Sequence, residues 1–100
     1  MGTRTAGRVV TEYLAECLWP GVTEAELAVV DLRARRAAGT AGDEVRYLGS
    51  VLMPADEVVF FVFSGPSESA VRAVADRAEL PFERIVTSLR RFDPYEREES

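Results

Sequence analysis

Residues 45–64, VRYLGSVLMPADEVVFFVFS, decide the fold of this chain. They contain two runs rich in β-branched and aromatic residues, Val45–Met53 and Val58–Phe63, on either side of the turn sequence Pro54-Ala55-Asp56. Such runs are typical of strands, and a short segment with proline and aspartate is typical of a tight turn. The stretch therefore predicts an antiparallel hairpin.

A strand and a helix are predicted before this hairpin. The run Val9–Trp19 has strand composition and stops at Pro20-Gly21. Thr23 and Glu26 then have the spacing of a capping box, which predicts a helix extending to Ala38. The following segment, residues 39–42, has no periodicity and is predicted to be a loop that begins with a C-cap glycine.

A second helix and a last strand are predicted after the hairpin. Ser67 is placed to cap the helix, Leu80-Pro81 ends it, and a strand runs from Phe82 to about Phe92. The order βαββαβ is that of an α+β ferredoxin-like fold, with a four-stranded antiparallel sheet and two helices on one face. We expect one domain over residues 1–100, with its core at 8–92 and an acidic tail at 93–100.

Composition excludes much chemistry. All 12 basic residues are arginines, and the chain contains no Lys, His, Asn or Gln. Ser-His-Asp and Cys-His systems, Schiff bases and imidazole metal sites are therefore unavailable. An acid, base or nucleophile must be Asp, Glu, Tyr, Cys, Ser or Thr.

Charge and cysteine content limit the partners and the compartment. A net charge of −5 and the absence of a clustered basic surface argue against nucleic acid. The one dense basic run, Arg33, Arg35 and Arg36, favours a solvated helix end. No apolar run is long enough for a bilayer, and a single Cys17 without a signal-peptide pattern fits the cytoplasm. We expect Cys17 to be a small buried apolar residue.

Alternation along the first strand separates the two faces of the predicted sheet. The odd-numbered residues from Val9 to Cys17 are expected to face the helices, and the even-numbered ones from Val10 to Leu18 the other, open face. From the other three strands, the residues expected on the open face are Arg46, Ser50, Leu48, Leu52, Arg84, Ser88, Arg90 and some of Phe60, Phe61 and Phe63. A face with so many large apolar groups is usually covered by a partner subunit, so we expect a homodimer with facing sheets, a dimeric α/β barrel that encloses a cavity.

Glu12, Glu16 and Arg46 are the candidate catalytic residues. A carboxylate beneath an apolar roof has a raised pKa and can act as a general acid or base, and Arg46 or a tyrosine hydroxyl can stabilise an oxyanion. On fold-level analogy, such sites carry out cofactor-independent cyclisation, isomerisation or dehydration of aromatic or polyketide-like molecules. The alternative is structural: Glu16 and Arg46 form an ion pair that holds the dimer, and Glu12 faces solvent.

The remaining candidates would line the cavity for an apolar or aromatic small molecule. They are Tyr13, Trp19, Tyr47, Ser50, Phe61 and Phe63. Each also has an ordinary structural interpretation: the tyrosines and phenylalanines as core residues, and Trp19 as a staple for the first helix. Asp56 and Glu57 are expected to shape the hairpin turn and are assigned no chemistry.

Three stretches carry a family resemblance: ECLWPGVT at 16–23, VRYLGSVLMPADE at 45–57 and AVRAVADRAELPFERIVTS at 70–88. Together they resemble a family of small actinobacterial ferredoxin-like proteins, formerly of unknown function and often described as nickel-binding. The resemblance implies a dimeric α/β arrangement and a metal site with histidine ligands, one of them near the position of Ala75. Since this chain contains no His, we expect neither nickel nor another cofactor. A divalent-metal-binding protein and a non-catalytic structural dimer are the alternative functions.

Overall fold

Six elements follow one another in the predicted order βαββαβ. The computed structural model describes residues 9–40 and 44–93, so the predicted tail lies, apart from Asp93, outside the described residues. The elements are β1 (Val9–Leu18), α1 (Glu24–Thr40), β2 (Arg46–Met53), β3 (Val58–Ser64), α2 (Glu68–Arg77) and β4 (Arg84–Arg91).

The four strands form one antiparallel sheet in the order β2-β3-β1-β4. The predicted hairpin is present as β2 and β3, and β1 lies in the centre of the sheet between β3 and β4. Each helix joins two strands that are consecutive in sequence but not neighbours in the sheet, because one other strand lies between them. This is the split βαβ plan. The ferredoxin-like fold class is thus confirmed. Within the described ranges, no helix is long and apolar enough to cross a membrane.

Helix α1 begins with the predicted capping box. The backbone N–H of Thr23 donates to Glu26 Oε1 at 2.9 Å, and the N–H of Glu26 donates to Thr23 Oγ1 at 3.1 Å. The predicted end at Ala38 is two residues short, because the helix continues through Gly39 to Thr40. The buried side of α1 carries small residues, among them Ala34, so the helix can approach the sheet closely.

The chain leaves helix α2 through a left-handed residue, Glu79, with φ of 58°, two positions after the last helical residue. The N–H groups of Glu79 and Leu80 donate back into the last turn at 3.0 and 3.1 Å, as in a Schellman motif. Arg33 of α1 completes this end: its guanidinium donates to the carbonyls of Ala78 and Glu79 at 3.0 and 2.8 Å. Arg33 is exposed, as expected for a solvated helix end, and in addition its side chain ties the two helices together.

The core lies between the helices and one face of the sheet. Phe61 and Phe63 of β3 are fully buried there, and Ala15 and Cys17 of β1 lie beside them. Both helices contribute buried residues to the same cluster, so they cover the same face of the sheet. The buried position of Cys17 confirms its predicted role as a core residue.

A β-bulge at Leu48 changes which face the rest of β2 presents. Tyr47 pairs with Phe63. The neighbouring residue of β3, Val62, pairs with Gly49 and not with Leu48. Gly49 has φ of +131°, a conformation that residues with a Cβ rarely adopt. Because the extra residue shifts the alternation, Ser50 lies on the helix side of the sheet.

The predicted placement of Ser50 and Leu52 on the open face is therefore wrong. Leu52 pairs with the buried Val59, and the Ser50 hydroxyl donates to Asp31 Oδ2 of α1 at 3.3 Å. The Tyr47 hydroxyl donates to the other oxygen of the same carboxylate. Asp31 thus fastens β2 to α1 on both sides of the bulge.

Candidate functional site on the open face of the sheet

The open face is the side of the sheet turned away from α1 and α2, and its residues lie in rows across the strands. The row in the middle of the sheet is apolar and consists of Gly49, Val62, Leu14 and Val86. The next row towards the hairpin turn consists of Val51, Phe60, Glu16 and Arg84. The row nearest the turn consists of Met53, Val58 and Leu18.

A polar row crosses the sheet at the end away from the hairpin turn. In this row Arg46 pairs with Ser64, and Glu12 pairs with Ser88. Ser64 follows Phe63, the partner of Tyr13, so it lies beside Glu12. The register therefore brings Glu12 and Arg46 into one row, with a serine between them and another serine beyond.

Glu12 is the buried carboxylate of this row, with only 7% of the residue exposed. Arg90 holds it: Nε lies 3.3 Å from both carboxylate oxygens, and Nη2 lies 3.1 Å from Oε1. A guanidinium that contacts both oxygens fixes the orientation of a carboxylate as well as its charge. The alternative in which Glu12 faces solvent is therefore wrong.

Within one chain Glu16 contacts Arg84 and not Arg46. Its Oε1 accepts from Nε of Arg84, its cross-strand neighbour on β4, at 2.5 Å. Within one chain Glu16 therefore pairs with Arg84, and an ion pair between Glu16 and Arg46 that holds a dimer stays a prediction. Arg46 is exposed and forms no ion pair with any residue in the described ranges.

The six predicted small-molecule contacts lie on the other side of the sheet from these carboxylates. Tyr13, Tyr47, Phe61 and Phe63 lie on the helix side by register, and Trp19 packs against the same core. Ser50 joins them because of the bulge. The structure thus unites Glu12, Glu16 and Arg46 on the open face but does not bring the aromatic set to them.

Two arginines were missing from the predicted site. Arg84 and Arg90 alternate with Ser88 along β4, a period-two pattern that places all three on the open face beside β1. That pattern is visible in the sequence. What it cannot show is the pairing register, which decides that Arg84 contacts Glu16 and Arg90 contacts Glu12.

Metal donors are few in this site. No group of three or more His, Cys, Asp or Glu side chains that could hold a metal ion occurs in the described part of the chain. The Cys17 thiol lies in the core on the helix side, where burial, and then the charge of Glu83, raise its pKa. A thiol with a raised pKa is a poor source of the thiolate that soft metals bind.

Comparisons with known proteins place the chain in a family. A family model described as "Nickel responsive protein SCO4226-like" matches residues 13–87. The fold is similar to the crystal structure of SCO4226 from Streptomyces coelicolor A3(2), with a TM-score of 0.65 and 20% identity over 75% of this chain and 91% of that one. No curated protein shows significant similarity to the chain. Because the family model covers most of the chain, this protein belongs to the SCO4226-like family of nickel responsive proteins.

Proposed function

We propose that two copies of this chain pair through their open faces and enclose a site for an apolar or aromatic small molecule, with Glu12 as its acid–base group. The observation that carries this proposal is a buried carboxylate on a sheet face whose large apolar side chains no described element covers. The family and the fold are compatible with this proposal. The dimer and the ligand are themselves proposals.

The two rows nearest the hairpin turn supply the contact between copies. Leu18, Val51 and Met53 are exposed and lie in these rows with Phe60 and Val58. Burying apolar area contributes about 25 cal/mol per Å², so covering this patch is favourable. A second copy is the natural cover, because twofold symmetry places the same apolar rows opposite one another.

The polar row supplies the contacts to the small molecule. Glu12 is oriented by Arg90 and stands between two serines, with Arg46 at the end of the row. An ionised carboxylate that is fixed in this way accepts a proton from carbon and returns it at another position, and Arg46 stabilises the negative charge that develops on oxygen. Such proton transfer supports isomerisation or cyclisation without a cofactor. Glu16, held by Arg84, supports the sheet.

The nickel in the family description does not carry over to these residues. Nickel favours imidazole or thiolate ligands, and the chain has no His and one buried Cys. The donor set therefore does not fit, and no step of the proposal involves a metal.

The dimer is tested by size-exclusion chromatography with light scattering on two matched variants. Val51, 47% exposed on the open face, and Val29, 58% exposed on α1, have the same side chain and similar exposure. Val51→Glu puts a charge in the proposed contact, and we expect it to weaken dimerisation at least about tenfold. Val29→Glu remains dimeric. A monomeric wild type, or a dimer that only Val29→Glu disrupts, contradicts the proposal.

The ligand and the chemistry are tested on the purified wild-type dimer. Native mass spectrometry is expected to show organic mass within the dimer, and elemental analysis to show no stoichiometric nickel. When the compound and the protein are incubated in D₂O, Glu12 transfers deuterium to carbon, whereas Glu12→Gln retains the compound without exchange. Glu16→Gln is the control and retains exchange. An empty dimer, or exchange that survives Glu12→Gln, refutes this part of the proposal.

A further inference from the structure

A separate cavity lies on the helix side of the sheet, at the end with the hairpin turn. It has a volume of about 220 Å³ and is lined by Trp19, Gly21, Val22, Leu52, Pro54 and Glu57. Trp19, Val22 and Leu52 are partly buried against the core. Glu57 is the one lining residue with an ionisable side chain. The cavity faces away from the proposed dimer contact, so its role is independent of the function proposed above.

Glu57 has an unusual backbone for its residue type. Its φ is 56°, in the left-handed region that favours glycine. Its N–H donates to the Pro54 carbonyl at 3.2 Å, and its own carbonyl accepts from the N–H of Trp19 at 2.8 Å. Glycine would form both bonds without strain, so turn geometry alone does not account for a glutamate. Strained residues of this kind cluster at functional sites.

The cavity combines an aromatic ring, apolar walls and one carboxylate. Trp is the side chain whose ring face attracts cations most strongly, and Glu57 supplies the opposite charge. Val22, Leu52 and Pro54 suit an alkyl chain. The nearby start of α1 carries partial positive charge, and the negatively charged Glu26 carboxylate lies there and accepts a hydrogen bond from the Thr23 N–H. The volume is below that of a site for drug-sized molecules, which limits the ligand to a few carbons.

We propose that the cavity between Trp19 and Glu57 binds a short-chain alkylammonium ion. The ammonium group pairs with the Glu57 carboxylate and lies against the Trp19 ring, while the alkyl chain contacts Val22, Leu52 and Pro54. An alkyl carboxylate or a neutral alcohol of the same length cannot neutralise the negative charge of Glu57. The site therefore selects its ligand by charge.

The probe is n-butylammonium chloride, titrated into the full chain while the indole N–H resonance of Trp19 is followed by NMR. The chain has one Trp, so this signal needs no further assignment. We expect a saturable shift with butylammonium and none with sodium butyrate or 1-butanol at the same ionic strength. An equal shift with butyrate or butanol overturns the proposal.

Two substitutions at Glu57 separate its charge from its backbone. Glu57→Gln keeps the side-chain size, and Glu57→Gly removes the backbone strain, so the second variant folds at least as well as wild type. Both are expected to bind butylammonium about fivefold more weakly or worse. Glu79→Gly is the matched control, since Glu79 also has a left-handed backbone but lies outside the cavity. Unchanged affinity in both Glu57 variants, or an equal loss in Glu79→Gly, overturns the assignment.

Discussion

Arg90 on β4 contacts both carboxylate oxygens of Glu12 on β1, although the two residues are not cross-strand partners. Arg90 pairs with Val10, and its guanidinium reaches diagonally along the same sheet face to Glu12. The Glu12 side chain is 10% exposed and that of Arg90 53% exposed. The buried carboxylate therefore depends on a guanidinium that remains partly in water.

Removing that guanidinium is expected to destabilise the protein. Arg90→Ala leaves the Glu12 carboxylate buried without its partner, at a cost of about 1–3 kcal/mol in the free energy of unfolding, less than for a fully buried pair because Arg90 is half exposed. Urea denaturation measures the loss. The double variant with Glu12→Gln should lose less than the sum of the two single variants. Strict additivity would show that the contact carries no coupling energy.

Relieving the strained end of α2 is expected to stabilise the protein. Glu79 has φ of 58° at a position where glycine is the usual residue, so Glu79→Gly should raise the free energy of unfolding by about 0.5–1 kcal/mol. Ala73→Gly, at an exposed position within α2, is the control and should lower it by about 1 kcal/mol. Thermal denaturation compares the two. If Glu79→Gly destabilises the protein, the Glu79 side chain makes a contact that stabilises the fold by more than its left-handed backbone costs.

High pH is expected to weaken the fold through Tyr47. Burial, and then the hydrogen bond to Asp31, raise the pKa of Tyr47 far above its usual value. In the unfolded chain a tyrosine loses its proton near pH ~10, whereas in the folded chain Tyr47 keeps it. The unfolded state then binds fewer protons, so stability is complete below pH ~10 and falls as the pH rises further.

The tyrosinate ultraviolet absorbance provides the measurement for Tyr47. In the wild type one tyrosine should resist titration until the protein unfolds. Tyr47→Phe should abolish that resistant fraction and make stability above pH ~10 less dependent on pH. Equal pH dependence in the two proteins would show that the Asp31 contact is lost in solution.

Cys17 is expected to be chemically inert in the folded protein. The thiol is buried, and its raised pKa keeps the reactive thiolate scarce. Labelling with a disulfide reagent should therefore become faster in proportion to the unfolded fraction as urea is added. Cys17→Ser should cost about 1–3 kcal/mol because a hydroxyl replaces an apolar core group. Rapid labelling without urea would contradict the core position.

Much of the fold was predictable because its signals are local. The capping box at Thr23 and Glu26 and the proline that opens the hairpin turn depend on neighbours within a few residues. Alternation in the regular strand β1 also placed Glu12 and Glu16 correctly on the open face. In β2 the same reasoning failed after Leu48, because one extra residue reverses the face of every residue that follows.

By itself the sequence determined the element order, the fold class and the restriction of acid–base chemistry to carboxylates, tyrosine, cysteine and hydroxyls. The tertiary structure decided which charges meet: Glu12 with Arg90, Glu16 with Arg84, and Tyr47 with Asp31. The reason is physical. The hydrogen bonds of helix caps and turns join atoms that are close together in the chain. The three charged and polar pairs join residues 16 to 78 positions apart. They depend on strand register and helix docking, and both are fixed only when the whole sheet has formed.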